Sequence, residues 1–257
     1  MTSPIAVIID KFLVYIVICM GIIRNLKLLL TLLVVVSILG CNFQNENMQA
    51  SSIISYDSFV HVRISNVNLT DNLSSNSERQ VFGSGIIVKS DRNETLILTA
   101  GHVCSTYEIS DGVANSEFIM SFITVKNWDN ITFPAEIIAV DFENDLCILM
   151  SAPTNLSSVK LSRIHPDVGD RVFNISAPYA MFGNKFILTF EGIYSGEIRY
   201  ENEQIYTIPA APGSSGSPVL NERGHLIGMI HSATSIMENV AIGPRTDIVL
   251  DFIEKYN

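Results

Sequence analysis

Three short strings, in chain order, hold side chains able to do covalent chemistry on a carbonyl: Thr99-Ala100-Gly101-His102, Asn144-Asp145-Leu146 and Gly213-Ser214-Ser215-Gly216-Ser217-Pro218. A serine hydroxyl keeps its proton at neutral pH. It becomes a nucleophile only beside a base, and the base needs a group that orients it. Ser215, His102 and Asp145 fit the three roles. Attack on a carbonyl develops an oxyanion, which backbone N–H groups must meet from a tight turn. Gly213 and Gly216 permit the positive φ that such a turn requires, so the N–H groups of Gly213 and Ser215 are the expected oxyanion donors. Asp141 and Glu143 lie in the same turn as Asp145, but only Asp145 directly precedes an apolar run that would bury it behind the histidine. The other two read as solvated turn charge.

The order His, Asp, Ser differs from the Asp, His, Ser of subtilisin-like enzymes and the Ser, Asp, His of α/β-hydrolases. Around the three strings the chain resembles the trypsin-like serine proteases, in their bacterial HtrA/Deg-type and glutamyl-endopeptidase-like branch, over roughly residues 80–257. Gly83-Ser84-Gly85-Ile86-Ile87-Val88 and Leu96-Ile97-Leu98-Thr99-Ala100-Gly101-His102-Val103 look like the two strands leading to that family's histidine. Asp145-Leu146-Cys147-Ile148-Leu149 looks like its aspartate and following strand. Val168-Gly169-Asp170-Arg171-Val172 resembles the opening of its second barrel, and Leu226-Ile227-Gly228-Met229-Ile230 the strand flanking the substrate. The resemblance implies an all-β fold of two six-stranded antiparallel β-barrels sharing one cleft, with a C-terminal helix. It also implies peptide-bond hydrolysis through an acyl-enzyme, with no metal or organic cofactor.

By the same resemblance the residues before the nucleophile turn, Pro209, Ala210, Ala211 and Pro212, floor the primary substrate pocket. None is acidic, which argues against a preference for Lys or Arg. Glutamyl endopeptidases carry a histidine two residues after the glycine equivalent to Gly228, where this chain has Ile230; His231 comes one later. One step along a strand turns the side chain to the opposite face, so an apolar pocket for small or medium aliphatic side chains is expected, with Ile230 and His231 counted beside Pro209 to Pro212 among its lining residues. Thr234 and Ser235 are expected at its entrance. Trypsin-like zymogens pair a freed N-terminus with an aspartate just before the serine. Here that residue is Ser214, and activity without that switch is expected.

The elements that must position these groups read as strands. Residues 59–64, 80–88, 95–99, 118–125, 131–140 and 146–150 are rich in Val, Ile, Phe and Thr and would form barrel one, within about 53–154. Residues 155–167 read as the connection. Residues 171–176, 185–189, 192–199, 204–208, 218–220, 226–232 and 240–242 would form barrel two, within 168–257. A terminal helix is expected over Thr246 to Tyr256, with Ile248, Val249, Phe252 and Ile253 on one face. No PDZ-type module is expected after it.

The N-terminus carries a separate signal. Arg24 and Lys27 precede the apolar run Leu28 to Leu39, and Ile38-Leu39-Gly40-Cys41 closes it, which resembles a bacterial lipobox. The expectation is a leader over 1–41, lipidation of Cys41, a linker over 42–52 and a location in the cell envelope or periplasm. A membrane signal-anchor is the alternative. Translation starting at Met20 would give an ordinary basic leader.

Cys104 and Cys147 each lie two residues after a member of the His102/Asp145 pair, so the sulfurs can be close. An exported domain permits a disulfide, and two buried reduced thiols remain the other reading. A zinc site from His102, Cys104 and Cys147 lacks paired ligand spacing and is disfavoured. Losing residues 1–41 removes Lys11, Arg24, Lys27 and Asp10 and takes the net charge from −10 to about −12, a poor match for nucleic acid. His61, His165, His225 and His231 read as strand or loop residues with no partner evident. Protein or peptide substrates are therefore the expected partners. The competing reading is a catalytically idle fold of the same kind, acting as an envelope-tethered binding or chaperone module.

Overall fold

A strand buried on both faces must be apolar throughout, whereas one facing water on one side alternates. Both patterns occur around the candidate residues. The structure, a computed structural model, describes residues 54–68, 78–105, 109–110, 113–114, 119–198, 201–234 and 236–256. The leader, Met20, Cys41, the linker and Ser235 lie outside them.

The first half is built from β1 (Phe59–Asn68), β2 (Glu78–Ser90), β3 (Thr95–Ala100), the small β4 (Ile109–Ser110) and β5 (Val113–Ala114), β6 (Ile119–Asn127), β7 (Thr132–Asp141) and β8 (Leu146–Ser151). Six of these close a barrel in the order β1-β2-β3-β8-β7-β6, every pair antiparallel. β3 is buried along its whole length and β8 at all but one position, because one face fills the barrel and the other meets the second half and the terminal helix. β7 has only Ala135 fully buried and alternates with exposed positions, as an outer strand should.

The second half comprises β9 (Arg171–Ser176), β10 (Phe182–Gly183), β11 (Phe186–Ile198), β12 (Glu203–Tyr206), β13 (Ser217–Leu220), β14 (Leu226–Ile230), β15 (Ser232–Ala233), β16 (Ala241–Pro244) and the helix α1 (Thr246–Glu254). Its sheet runs β14-β13-β9-β11-β12-β16-β15, with β10 beside β11. This corrects the expectation of two six-stranded barrels. One closed barrel stands beside an open, curled half-barrel of seven to eight strands. The physical reason lies at the edge of β14. The Leu226 N–H donates to Lys160 O (2.8 Å) and the Leu226 carbonyl accepts from Ser162 N (2.9 Å), so the connecting segment occupies the groups that closure would need. After Ile230 the chain leaves β13 and pairs with β16 instead, through His231 N to Ile242 O at 3.0 Å.

β11 is also one strand where two were expected. A Cβ at Gly192 would stand 2.4 Å from Thr207 O, so this glycine marks a close backbone approach within a continuous strand. The helix packs Val249, Phe252 and Ile253 into the main core. A smaller core of Val172, Tyr194, Tyr206, Ile208, Val219, Ile227, Ile230 and Ala241 fills the half-barrel. Among the described residues no helix is long and apolar enough to cross a membrane.

Candidate active site

His102 sits in a short 3-10 turn, Gly101–Cys104, at the end of β3. Asp145 lies in the turn that starts β8 with φ of +55°, a left-handed value unusual for a residue with a side chain. Gly101 N–H donates to Asp145 O (2.9 Å) and His102 N–H to Asp145 Oδ1 (2.6 Å), so backbone groups of the histidine turn fix the aspartate. A Cβ at Gly101 would stand 3.0 Å from that carboxylate, a tight contact that would press on the Asp145 side chain, so the two turns approach most closely with glycine there. His102 Nδ1–H then faces Asp145 Oδ2 at 2.7 Å. This bond fixes the tautomer and leaves Nε2 on the ring's open side. Burial alone would raise the Asp145 carboxyl. The hydrogen bonds from His102 and His231 and the charge on His102 outweigh burial and hold it below the usual carboxylate range.

Asp141 has a different task. Its Oδ1 accepts from Glu143 N (3.0 Å) and Asn144 N (3.1 Å), and its Oδ2 from Asn144 Nδ2 (2.8 Å), so it ties the turn leading into Asp145. Cys104 and Cys147 are bonded to each other, with Cα atoms 6.5 Å apart. The bond joins the turn carrying His102 to the strand following Asp145.

Ser215 follows the turn Ala211-Pro212-Gly213-Ser214, closed by Ser214 N–H to Ala211 O at 2.8 Å. Proline second and glycine third with φ of +96° make it a type II turn. The Pro212 carbonyl accepts from Tyr179 N at 2.6 Å. A trans peptide directs its N–H opposite its carbonyl, so the Gly213 N–H points away from Tyr179. Neither it nor the Ser215 N–H donates to another described residue. Gly216 has φ of +86°, and a Cβ there would lie 2.1 Å from Ser84 O, so both conformation and space demand glycine.

Ser84, on β2 of the barrel, holds this turn from the other half. Its N–H donates to Ser215 O (2.8 Å), and its hydroxyl donates to Gly213 O (2.9 Å) and accepts from Ala177 N (3.1 Å). Ser214 is buried, and its hydroxyl accepts from Ser176 Oγ (2.9 Å) and from Ala211 N (3.2 Å). A neutral serine pair thus occupies the place where a buried carboxylate would need a cationic partner. The Ser215 hydroxyl donates to His231 O at 3.4 Å and makes no hydrogen bond to His102.

A cavity of about 260 Å³ opens beside Ser215, lined by Ala210, Ala211, Pro212, Ser214, Ile230, His231, Ser232 and Ala233. An adjoining one takes Pro209 and Thr234 into its wall, with Ile236 and Met237 at its exposed rim.

A family model described as a trypsin-like peptidase domain matches residues 83–229, more than half of the chain. The chain belongs to this family. The match starts at the glycine preceding Ser84 and ends in β14, so it spans all three chemically capable strings. "Serine protease HTRA2, mitochondrial" of Drosophila grimshawi is 27% identical over 206 residues, 77% of this chain and 45% of that protein. A "probable periplasmic serine endoprotease DegP-like" of Pseudomonas putida is 30% identical over 159 residues, 59% of this chain and 29% of that protein. This trypsin-like chain therefore spans less than half the length of the curated relatives it matches. Among solved structures, a serine endoprotease from Yersinia pestis superposes with a TM-score of 0.59 at 24% identity, covering 81% of this chain and 65% of that one. The HtrA-type protease AlgW with a decapeptide gives 0.61 at 20%, covering 81% and 66%. At these identities the likeness is one of fold.

Sequence reasoning left two participants of this trypsin-like site, Ser84 and Ser176, without a role, and counted His231 only among the residues lining the substrate pocket. The two serines act through bonds between distant segments, which no local pattern displays. His231 differs from the expectation that it has no partner: its Nδ1 is 3.3 Å from Asp145 Oδ2 and its Nε2 3.5 Å from Glu203 Oε1.

Proposed function

We propose that the protein is a serine endopeptidase in which His102, Asp145 and Ser215 form the catalytic triad. The single observation that supports this most is the histidine held by Nδ1 on a partly buried carboxylate, beside a serine whose preceding turn leaves the Gly213 and Ser215 N–H groups without acceptors among the described residues. His102 Nε2 takes the Ser215 proton as the oxygen attacks a peptide carbonyl, and the two amides receive the oxyanion. His102 then gives the proton to the leaving amine, and water reverses the sequence to free the acyl group. The cavity lined by Ala210, Ala211, Pro212, Ile230 and Ala233 suits small or medium apolar side chains, and none of its lining residues is a carboxylate that would select Lys or Arg.

A fluorophosphonate probe is expected to label the folded parent at Ser215 and to lose its label in Ser215→Ala and His102→Ala, with casein cleavage lost in parallel. One observation favours a second reading, a catalytically idle binding module: the Ser215 hydroxyl turns to His231 O instead of His102. Failure of the folded parent to label would select it.

The leader over 1–41, the linker over 42–52, the domain over 53–257 and a lipid on Cys41 belong to the same reading. The relative named as periplasmic is consistent with an exported, envelope location. Mass spectrometry of the mature N-terminus is expected to find a lipid-modified Cys41. An unmodified peptide spanning Gly40-Cys41 would remove the tether.

A further inference from the structure

His231 follows β14, where the chain leaves one strand neighbour for another, and its ring is inserted between two carboxylates. Nδ1 is 3.3 Å from Asp145 Oδ2 and Nε2 is 3.5 Å from Glu203 Oε1, with only 15% of the His231 side chain exposed. Glu203 opens β12, in register with Pro244 of β16, the strand to which His231 donates its backbone N–H through Ile242. The charged or titratable groups around the ring are thus Asp145 from the turn before β8, Glu203 from β12 and, across the Asp145 carboxylate, His102. Nε2 is buried and makes no hydrogen bond to any described residue.

A neutral imidazole has one N–H and one lone pair. If its N–H faces Asp145, the lone pair faces Glu203; with the other tautomer the lone pair faces Asp145. Either arrangement sets a lone pair against a carboxylate in a partly buried space. Only the imidazolium presents an N–H at both edges, meeting Glu203 across 3.5 Å as an ion pair rather than a hydrogen bond. Asp145 Oδ2 would then receive two imidazole N–H groups, one from the base it orients and one from behind.

We propose that His231 is a positioning residue of the proposed triad, holding Asp145 as an imidazolium bridged to Glu203; this rests on the serine endopeptidase reading. Glu203 has a distinct part. It neutralises the second imidazole, so Asp145 keeps its negative charge available to the imidazolium that forms on His102 during proton transfer. Without Glu203 the cation on His231 would oppose that second cation.

The test combines kinetics with ring-nitrogen NMR on the full chain. His231→Ala is expected to lower kcat on a peptide substrate, and the rate of fluorophosphonate labelling, by about tenfold to a hundredfold with KM little changed. His231→Asn can place an amide N–H near the Nδ1 position and is expected to recover most of that loss. Glu203→Gln is expected to slow the parent several-fold but to have no effect in the His231→Asn background. An equal effect of Glu203→Gln in both backgrounds would overturn the bridge, and so would an Asn variant no better than the Ala variant. The imidazole 15N shifts of His231 read the same point without activity. At about pH 7, where a histidine without partners is mostly neutral, both nitrogens are expected to carry protons in the parent and one of them in Glu203→Gln. A singly protonated ring in the parent would sink the proposal even if labelling succeeds. A doubly protonated ring in a parent that does not label would leave the bridge standing and remove the protease reading.

Discussion

Asp145 combines a left-handed backbone with a carboxylate that accepts from the His102 main chain and ring. Replacing it by Asn keeps the shape but offers an amide N–H to His102 Nδ1, which favours the wrong tautomer. A fall in kcat of about 10⁴ is expected, by analogy with the same change in a serine protease triad. Asp141→Asn removes charge from a turn-holding carboxylate, so its expected cost is about 1 kcal/mol of stability, with kcat within a few-fold of the parent. Steady-state kinetics and thermal melts on the two variants separate the roles, and equal losses of kcat would refute the assignment. That Asp145 rather than Asp141 meets the His102 ring was legible in the sequence, because only Asp145 abuts the apolar strand Leu146–Ser151. The partnership of His231 was not, because its partners come from the turn before β8 and from β12, far away in the chain. A usable signal did exist: stepping one residue past Ile230 turns His231 to the opposite face, and that face meets Asp145.

Elements show the same division between local and long-range information. All six strands of the closed barrel appear where Val, Ile, Phe and Thr concentrate, since burial selects those residues one strand at a time. Closure of the second sheet depends on which backbone edge the segment at 160–162 covers, and composition carries no trace of that choice. β1 contains a further element-scale consequence. His61 is buried, with its ring stacked at 5.7 Å from Phe82 and 5.9 Å from Phe182 and with no hydrogen-bond partner for Nε2 among the described residues. Burial first, then the charges of Lys126 and Arg63, lower it from 6.5 to about 4. The unfolded chain binds this proton near pH 6.5, whereas the folded one resists until about pH 4. Between those values the unfolded state holds more protons, so stability falls as pH falls across the window, by up to about 3 kcal/mol. His61→Phe should abolish that component. Urea unfolding at about pH 7 and about pH 4.5 is expected to show the parent losing more stability than the variant, and parallel losses would contradict the account.

At the scale of the whole molecule, the proposed chemistry depends on two halves held in fixed relation. Ser84 joins β2 to the turn carrying Ser215 through two bonds and to Ala177, just after β9, through a third, and the segment 155–167 reaches from Ile87 (Val159 N to Ile87 O, 2.8 Å) to Leu226. The Cys104–Cys147 bond acts inside the first half, across 43 residues of sequence. A cross-link of that span restricts the unfolded chain by about 4 kcal/mol on the loop-entropy model, and an exported compartment would preserve it. Its position adds a catalytic consequence to the stability one. Without it, the turn bearing His102 keeps the hydrogen bonds from Gly101 and His102 to Asp145, the strand pairing of β3 with β8 and the packing of Val103 in the shared core, but no covalent tie to the strand after Asp145. The double variant Cys104→Ser, Cys147→Ser, or reductant on the parent, is therefore expected to lower Tm by about 10 °C and to slow fluorophosphonate labelling of Ser215. The slowing should exceed what the unfolded fraction explains, because the His102 turn loosens before the barrel opens. A parent whose Tm ignores reductant, with free thiols found by alkylation, would instead establish the two buried thiols as its resting state.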